Sequence, residues 1–477
     1  MQVHILSFEG PDTYARAGGL ATRVTGLAAA LAAAGCETHL WFIGDPALPG
    51  HETRGRLRLH RWCQWISRYH PAGVYDGEEG KHADYAASLP PFLFHQLLRP
   101  ALQHGERAVI LAEEWHTVHA VLHLDWLLRA SGLRDRCAIL WNANNTFAFD
   151  RIDWVRLRQA AVVTTVSRYM KQLMWGLGID PLVLPNGLAA EAFIAPAPGT
   201  MEAFQAHVRG RMVLSKVARW DPDKRWLLAI ETVSALKRQH WQPLLIARGG
   251  VEAHGTEVLT AAARMGLRVA ERPLPRPGVP GLLHALEDVH EVDVVSLRSP
   301  LNGDSCRVLF RGSAAVLANS GREPFGLVGL ETMAVGGIAC TGATGEDYVV
   351  PGYNALVLET TDPQEFVSLY GALHDDPGRE RAMRRAGNAT AQRYAWPQIV
   401  QEVVLPRLFL LVGAPHRRRR NGSPERREAE GESAPPVTSA PGQPPWRCGG
   451  DTAEILRHRA AAAPADHSGA AASLIVR

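Results

Sequence analysis

Short runs of β-branched and large apolar residues alternate with stretches of helical periodicity from the first residue onward. VHILSF is followed by a run from Leu20 to Ala34 whose apolar side carries Val24, Leu27 and Leu31, with Gly35 as its stop, and then by THLWFI. Strand, helix and strand in that order predict a βαβ unit and so a parallel sheet. The rhythm continues through AVIL, a helix after Thr117, AILWN and AVVTTVS, and pauses near LVLPNGL. Between Pro185 and Gly210 the composition turns to Pro, Ala and Gly, which marks a domain boundary. A second series then opens with RMVLSKVARW and a helix from Trp226 to Lys237. Its later strands, PLLIAR, VDVVSL, AAVLANS and GIACTG, each run into a glycine-bearing loop. Ligands of such sheets gather at the carboxyl ends of the strands. The expected fold class is α/β, with two parallel-sheet domains at 1–187 and 211–395, a linker at 188–210 and a closing helix at 396–412.

Composition fits this division. A chain of 477 residues, 46% apolar and 21% charged, has material for two cores of ordinary size. The formal charge is +3, but residues 413–477 hold ten Arg against seven Asp and Glu, so residues 1–412 balance at zero. The folded part therefore has no bulk attraction for polyanions, and no nucleic-acid partner is expected. The six cysteines are scattered singly, which argues against zinc and structural disulfides. No basic, apolar leader opens the chain, and the stretch VVLPRLFLLVGA is short and broken by Pro406 and Arg407. No integral membrane association is expected, and a reducing cytoplasmic location follows. Residues 413–477 are charged, Pro-rich and aperiodic, which predicts a disordered tail; its arginine cluster at 417–420 reads as a solvated run, with contact to anionic lipid or nucleic acid as the alternative.

Three segments carry candidate chemistry. In EGPDTYARAGGL, Gly18 and Gly19 stand at a helix N-terminus, where bare backbone amides and the helix dipole favour an anion such as phosphate. A tight strand-to-helix turn without a ligand reads the same way. In VARWDPDKRW, Arg219 and Lys224 lie five positions apart in a loop just after a strand, so a guanidinium fork and an ammonium can clamp one pyrophosphate. Surface charges flanking a turn are the alternative. ANSGREPFGLVGLETMAVGG compresses strand, turn and helix into twenty residues, with Glu323 in the turn and Glu331 on a helix that begins near Phe325. One carboxylate can hold a sugar and the other a ribose, while the amides of Phe325, Gly326 and Leu327 offer a second anion site. Two acidic residues on a surface helix would explain the charges but not the Pro-Phe-Gly between them.

Taken together and in order, ARAGGL, TVSRYMKQL, PNG, the Arg219/Lys224 pair and EPFGLVGLE resemble retaining glycosyltransferases of family 4, near the glycogen and starch synthase branch. The resemblance covers nearly all of residues 1–412. It implies two Rossmann-like domains facing across a cleft (the GT-B fold), with Arg16 where a lysine is usual. It further implies that Gly19 donates its amide to a donor phosphate, that Arg219 and Lys224 hold the pyrophosphate, that Glu323 contacts the transferred sugar and that Glu331 binds ribose hydroxyls. TGATGEDYV, with Thr344, Gly345 and Glu346, is similar to the loop that lies along sugar and phosphate. One departure stands out: AEEWHT places Glu113 where the family has its catalytic-site histidine, with His116 as a substitute from the next turn.

The implied reaction transfers a hexosyl group, glucosyl by resemblance, from ADP- or UDP-glucose to a sugar or glycan acceptor, a glucan among them. The acceptor hydroxyl attacks on the face from which the diphosphate leaves. No cofactor and no metal is expected, because the cations already meet the leaving charge. The alternatives are a sugar-nucleotide epimerase or glycan phosphorylase, and a non-catalytic glycan- or nucleotide-binding protein that kept the fold and lost chemistry at Glu113.

Overall fold

The structure, a computed structural model, describes residues 1–344 and 346–413. Fifteen strands form two sheets. The first holds β1 (Gln2–Leu6), β2 (Glu37–Ile43), β3 (His51–Arg54), β4 (Leu57–Trp62), β5 (Ala108–Glu113), β6 (Cys137–Ala143), β7 (Val162–Thr165) and β8 (Leu182–Val183). Its order is β3-β4-β2-β1-β5-β6-β7-β8. The second holds β9 (Met212–Val217), β10 (Pro243–Arg248), β11 (Val269–Arg272), β12 (Val294–Leu297), β13 (Ala315–Ala318), β14 (Ala339–Gly342) and β15 (Leu356–Leu358), in the order β11-β12-β10-β9-β13-β14-β15. All pairings are parallel except β3 against β4. That edge hairpin, HETR turning through Gly55 to LRLHRW, lacks the continuous apolar run from which the other strands are legible.

The central strands read as continuous apolar runs because helices cover both faces of a parallel sheet. In β5 every residue from Ala108 to Glu113 is buried. Leu6 of β1 pairs with Trp41 on one side and Ala112 on the other, which brings the ends of β1, β2 and β5 level along one edge. The corresponding edge of the second sheet is set by β9 and β13, where Val316 pairs with Ser215.

The last helical stretch, Trp396 to Gly413 with a π turn at Val400–Val404, packs on the first sheet rather than the second. The indole of Trp396 is 2% exposed and occupies the space that a Cβ on Gly26 or Gly187 would fill, at 2.1 and 2.6 Å. Leu188 and Ala395 are joined by a parallel bridge, so the two chain crossings between sheets lie side by side.

One face of the first sheet carries an aromatic stack. His4 and His39 lie 4.6 Å apart by ring centroids, and Trp41 and His60 lie 3.7 Å apart. His39 Nδ1 and His60 Nε2 are 3.0 Å apart, a single shared proton's distance. Burial lowers the His39 pKa to about 4, with Arg58 adding to it, and lowers that of His60 to about 3, helped by His39, His51 and Arg58. These rings stay neutral in the fold, whereas the unfolded chain protonates them near pH 6.5. Stability from this stack is therefore complete above that pH and drains away as pH falls towards 4. The melting temperature, scanned from pH 7.5 to 4.5, should fall below pH 6.5, and His60→Gln should flatten the fall; a level profile would contradict this account.

Candidate active site

Between the carboxyl edges of the two sheets lies a cleft of about 830 Å³. On the second-sheet side, β9 runs into a loop that exposes Arg219 and turns at Asp221, whose side chain accepts from the Asp223 amide. Lys224, at the end of that turn, places Nζ 2.8 Å from Glu323 Oε2. The two loops are stitched together by the amides of Gly321 and Arg322, which donate to Asp223 O and Oδ1 at 2.7 and 3.1 Å. Arg219, Lys224 and Glu323, distant in sequence, thus share one wall of the cleft.

The Pro-Phe-Gly between the glutamates now has a physical reason. Phe325 is buried against Tyr348 and Tyr394, with ring centroids at 5.8 and 6.0 Å. Gly326 has φ +82°, and a Cβ there would meet Glu346 Cγ at 2.8 Å and the Tyr348 hydroxyl at 3.0 Å. The chain needs that left-handed residue to swing into the helix, which starts at Leu327, two residues after Phe325. Thr344 sits outside the cleft lining; its hydroxyl donates to Gly321 O at 3.2 Å and accepts from the Glu323 amide at 3.3 Å, bracing the turn. Gly345 lies outside the described residues. Glu331, one turn into the helix, is part-buried beside Cys306 and does not line the cleft; burial raises its pKa to about 7.

The first-sheet side differs from expectation in three places. The amides of Ala17, Gly18 and Ala21 donate to Glu9 Oε2 at 3.2, 3.0 and 3.1 Å, so an internal carboxylate fills most of this helix N-terminus and the Gly18 amide is spent. Gly19 faces the second domain instead, its missing Cβ 3.8 Å from Leu327 Cδ1. Arg16 is exposed, donates to Pro11 O and does not line the cleft. Glu113 points away from the cleft lining into the interior. Alternation along β5 aims it at Arg23, whose Nε lies 3.1 Å from both carboxylate oxygens, and Asn142 and Asn144 also donate to it.

The next residue takes the cleft position. Glu114, with φ 66° and ψ 168°, holds a backbone conformation that side chains rarely adopt and lines the cleft beside Trp115 and His116. Burial raises its pKa to about 8, with Glu113 adding to the rise, while the Asn144 amide donates to it at 2.8 Å. His116 is 4% exposed, stacks between Phe8 and Trp115 at 4.2 and 3.9 Å, and sets Nε2 2.7 Å from Glu78 Oε1. Burial pushes its pKa down to about 3, so the ring is neutral.

Sequence reading passed over Glu9, Tyr75, Glu114 and Lys216. Lys216 had a signal, a lysine inside the apolar run MVLSKV. It is buried in the cleft wall, donates to Leu317 O and Asn319 Oδ1 at 2.9 Å each, and its pKa is lowered by burial to about 7. Tyr75 comes from an irregular loop and donates to Glu9 Oε1 at 2.6 Å.

Among the described residues, no helix is long and apolar enough to cross a membrane, and the five described cysteines are free. Cys448 and the predicted tail from residue 414 lie outside the described residues.

Residues 17–192 match the model of Glycosyltransferase Family 4. Over 83% of this chain and 90% of its partner, the sequence is 23% identical to a D-inositol 3-phosphate glycosyltransferase of Thermobispora bispora. Matches to four other curated proteins of that description span only 23 to 29% of their lengths. A sucrose-phosphate synthase from Thermosynechococcus elongatus superposes with a TM-score of 0.60 at 18% identity, covering 87% of this chain and all of that one. HepE from Anabaena, solved with UDP-glucose, superposes at 0.54 and 16% identity over 86% and 99%. Residues 17–192 are thus similar to glycosyltransferase family 4, in a chain built as two parallel-sheet domains of the GT-B type.

Proposed function

We propose that this protein is a retaining glycosyltransferase that moves a glucosyl group from UDP-glucose to an acceptor hydroxyl, with residues 1–187 and 211–395 as its two working domains. The observation that carries the reading is the convergence of Arg219, Lys224 and Glu323 on one wall of an inter-sheet cleft. UDP-glucose is preferred to ADP-glucose because HepE, of like fold, binds it. The retaining outcome rests on the resemblance of EPFGLVGLE to the retaining branch.

In this reading the diphosphate lies against Arg219 and Lys224, with the Leu327 helix start on one side and, on the other, the Gly19 amide, which is not among the three that Glu9 takes. Binding breaks the Lys224–Glu323 pair: the ammonium turns to a phosphate oxygen, and Glu323 is freed to accept from a sugar hydroxyl. As the anomeric carbon–oxygen bond lengthens, negative charge grows on the diphosphate, where fixed cations stabilise it without reorganisation. The acceptor hydroxyl attacks the same face, and its proton passes to the departing diphosphate oxygen. Closure of the two domains excludes water that would otherwise take the sugar. His116, neutral and held by Glu78, positions acceptor rather than donor. Thr344 steadies the Glu323 turn, and Arg16 takes no direct part.

The test is a thermal-shift screen with UDP, ADP, GDP and their glucose conjugates, since a ligand that binds only the native state raises Tm. A shift with UDP and UDP-glucose is expected; none with any nucleotide would remove the reading in favour of a chain that has lost donor binding.

A further inference from the structure

We infer that the acceptor is a sugar or cyclitol bearing free hydroxyl or amino groups and no phosphate. This rests on the glycosyltransferase reading and sharpens it, because the sucrose-phosphate synthase and the inositol 3-phosphate enzymes that this chain resembles are named for phosphorylated sugars or cyclitols.

The first-sheet wall of the cleft is the half left for the acceptor. It presents the carboxyl groups of Glu78 and Glu114 and the rings of Tyr75, Trp115 and Phe147, and it contributes no lysine or arginine to the lining. A phosphate dianion entering here meets like charge on Glu78. Burial raises the Glu78 pKa and Arg151, stacked on Trp115 with its guanidinium 5.6 Å from the ring and outside the lining, opposes that rise, so its charge is already directed at Glu78. The natural anion site of this half, the helix start at Gly18, is already occupied by Glu9, which Tyr75 also binds.

What the wall does offer is hydrogen-bond acceptance. Glu78, as a carboxylate, accepts from His116 Nε2, which fixes the proton there and leaves Nδ1 as a bare lone pair. That Nδ1 is itself buried without a partner, so the acceptor that an incoming hydroxyl or amine meets on this wall is the Glu78 carboxyl, whose side chain is 39% exposed. Glu114, held in its strained backbone conformation, adds a second carboxyl beside it. Phe147, 65% exposed, and Trp115 supply flat apolar faces for the C–H face of a sugar ring.

The test compares matched pairs with UDP bound: glucose against glucose 6-phosphate, glucosamine against glucosamine 6-phosphate, and inositol against inositol 3-phosphate. Binding is read by calorimetry and transfer from UDP-glucose by mass spectrometry. The phosphate-free member of at least one pair should bind at least tenfold more tightly than its partner and be the one glycosylated. Glucosamine ahead of glucose would place an ammonium against Glu78 and Glu114, and the reverse order a hydroxyl; both support the inference. Equal affinity within every pair, including none for either member, or preference for a phosphorylated member, overturns it. Glu78→Lys, at a part-exposed position, should raise affinity for the phosphorylated members while UDP binding stays unchanged. Retained UDP binding with the pair order reversed sinks only this inference, whereas absence of nucleotide binding sinks the glycosyltransferase reading itself.

Discussion

Replacing Glu113 with alanine is expected to cost the fold about 3–5 kcal/mol, because it strands the Arg23 guanidinium in the interior. Both side chains of the pair are 2% exposed, and Arg23 is committed on its far side to Leu184 O, Pro185 O and Asn186 Oδ1. The arginine cannot follow a lost partner into water without pulling on the PNG segment that begins the crossing to the second sheet. Chemical denaturation of Glu113→Ala should show the loss, and Glu113→Gln should show less, since the amide oxygen still accepts from Arg23. At a temperature where both variants remain folded, nucleotide affinity should match the parent. A variant with unchanged stability and abolished turnover would instead restore Glu113 to the chemistry that its position in the sequence suggests.

The second large effect belongs to Lys224. Its ammonium is the cation that faces Glu323 across 2.8 Å, and in the proposed reaction it moves to the leaving diphosphate. Removing one fixed donor to developing negative charge typically lowers turnover by about 10²–10³-fold. Lys224→Ala also leaves Glu323 unpaired on the same wall, which repels the diphosphate and weakens UDP binding as well. Glu323→Ala, by contrast, should lower kcat while UDP binds as tightly as in the parent or more tightly, because Lys224 is then released to the diphosphate without a pair to break. Steady-state kinetics with UDP-glucose and UDP titration of both variants separate the two outcomes. UDP binding and turnover unchanged in Lys224→Ala would remove the pyrophosphate role.

Much of this architecture is legible from residue pattern. The apolar runs that predict β1, β2, β5, β6 and β9 are visible because parallel strands bury both faces, and PNG with the Pro-rich stretch after it marks where the first sheet ends. The β3–β4 hairpin is not, since an edge pair with one solvated face and four charged residues has no pattern to read. The grouping of Arg219, Lys224 and Glu323 on one wall of the cleft is legible for a related reason: they lie in loops that follow strands, where direction is dictated by the sheet. The first-sheet wall is not. Whether Glu113 or Glu114 meets the cleft depends on one step of strand alternation and on the positive φ of Glu114, and neither is written in two adjacent glutamates. Glu9 was invisible as a cap because its three amide partners lie eight to twelve residues away across an irregular loop.

The Trp396 clasp has a covalent consequence. Because the final helix returns to the first sheet, and Leu188 and Ala395 stand side by side, the whole second domain is an insertion into a first domain that both begins and finishes the folded part of the described chain. A single cut in the Pro-rich crossing would leave the halves tied through the other crossing. Conversely, a short bridge from residue 188 to residue 395 would close the first domain on itself but strip its core of Phe325, Leu330, Met333 and Tyr348, which pack into the same cluster from the second. The two crossings also form a paired strap: a twist of one half against the other would shear Trp396 from its seat over Gly26 and Gly187.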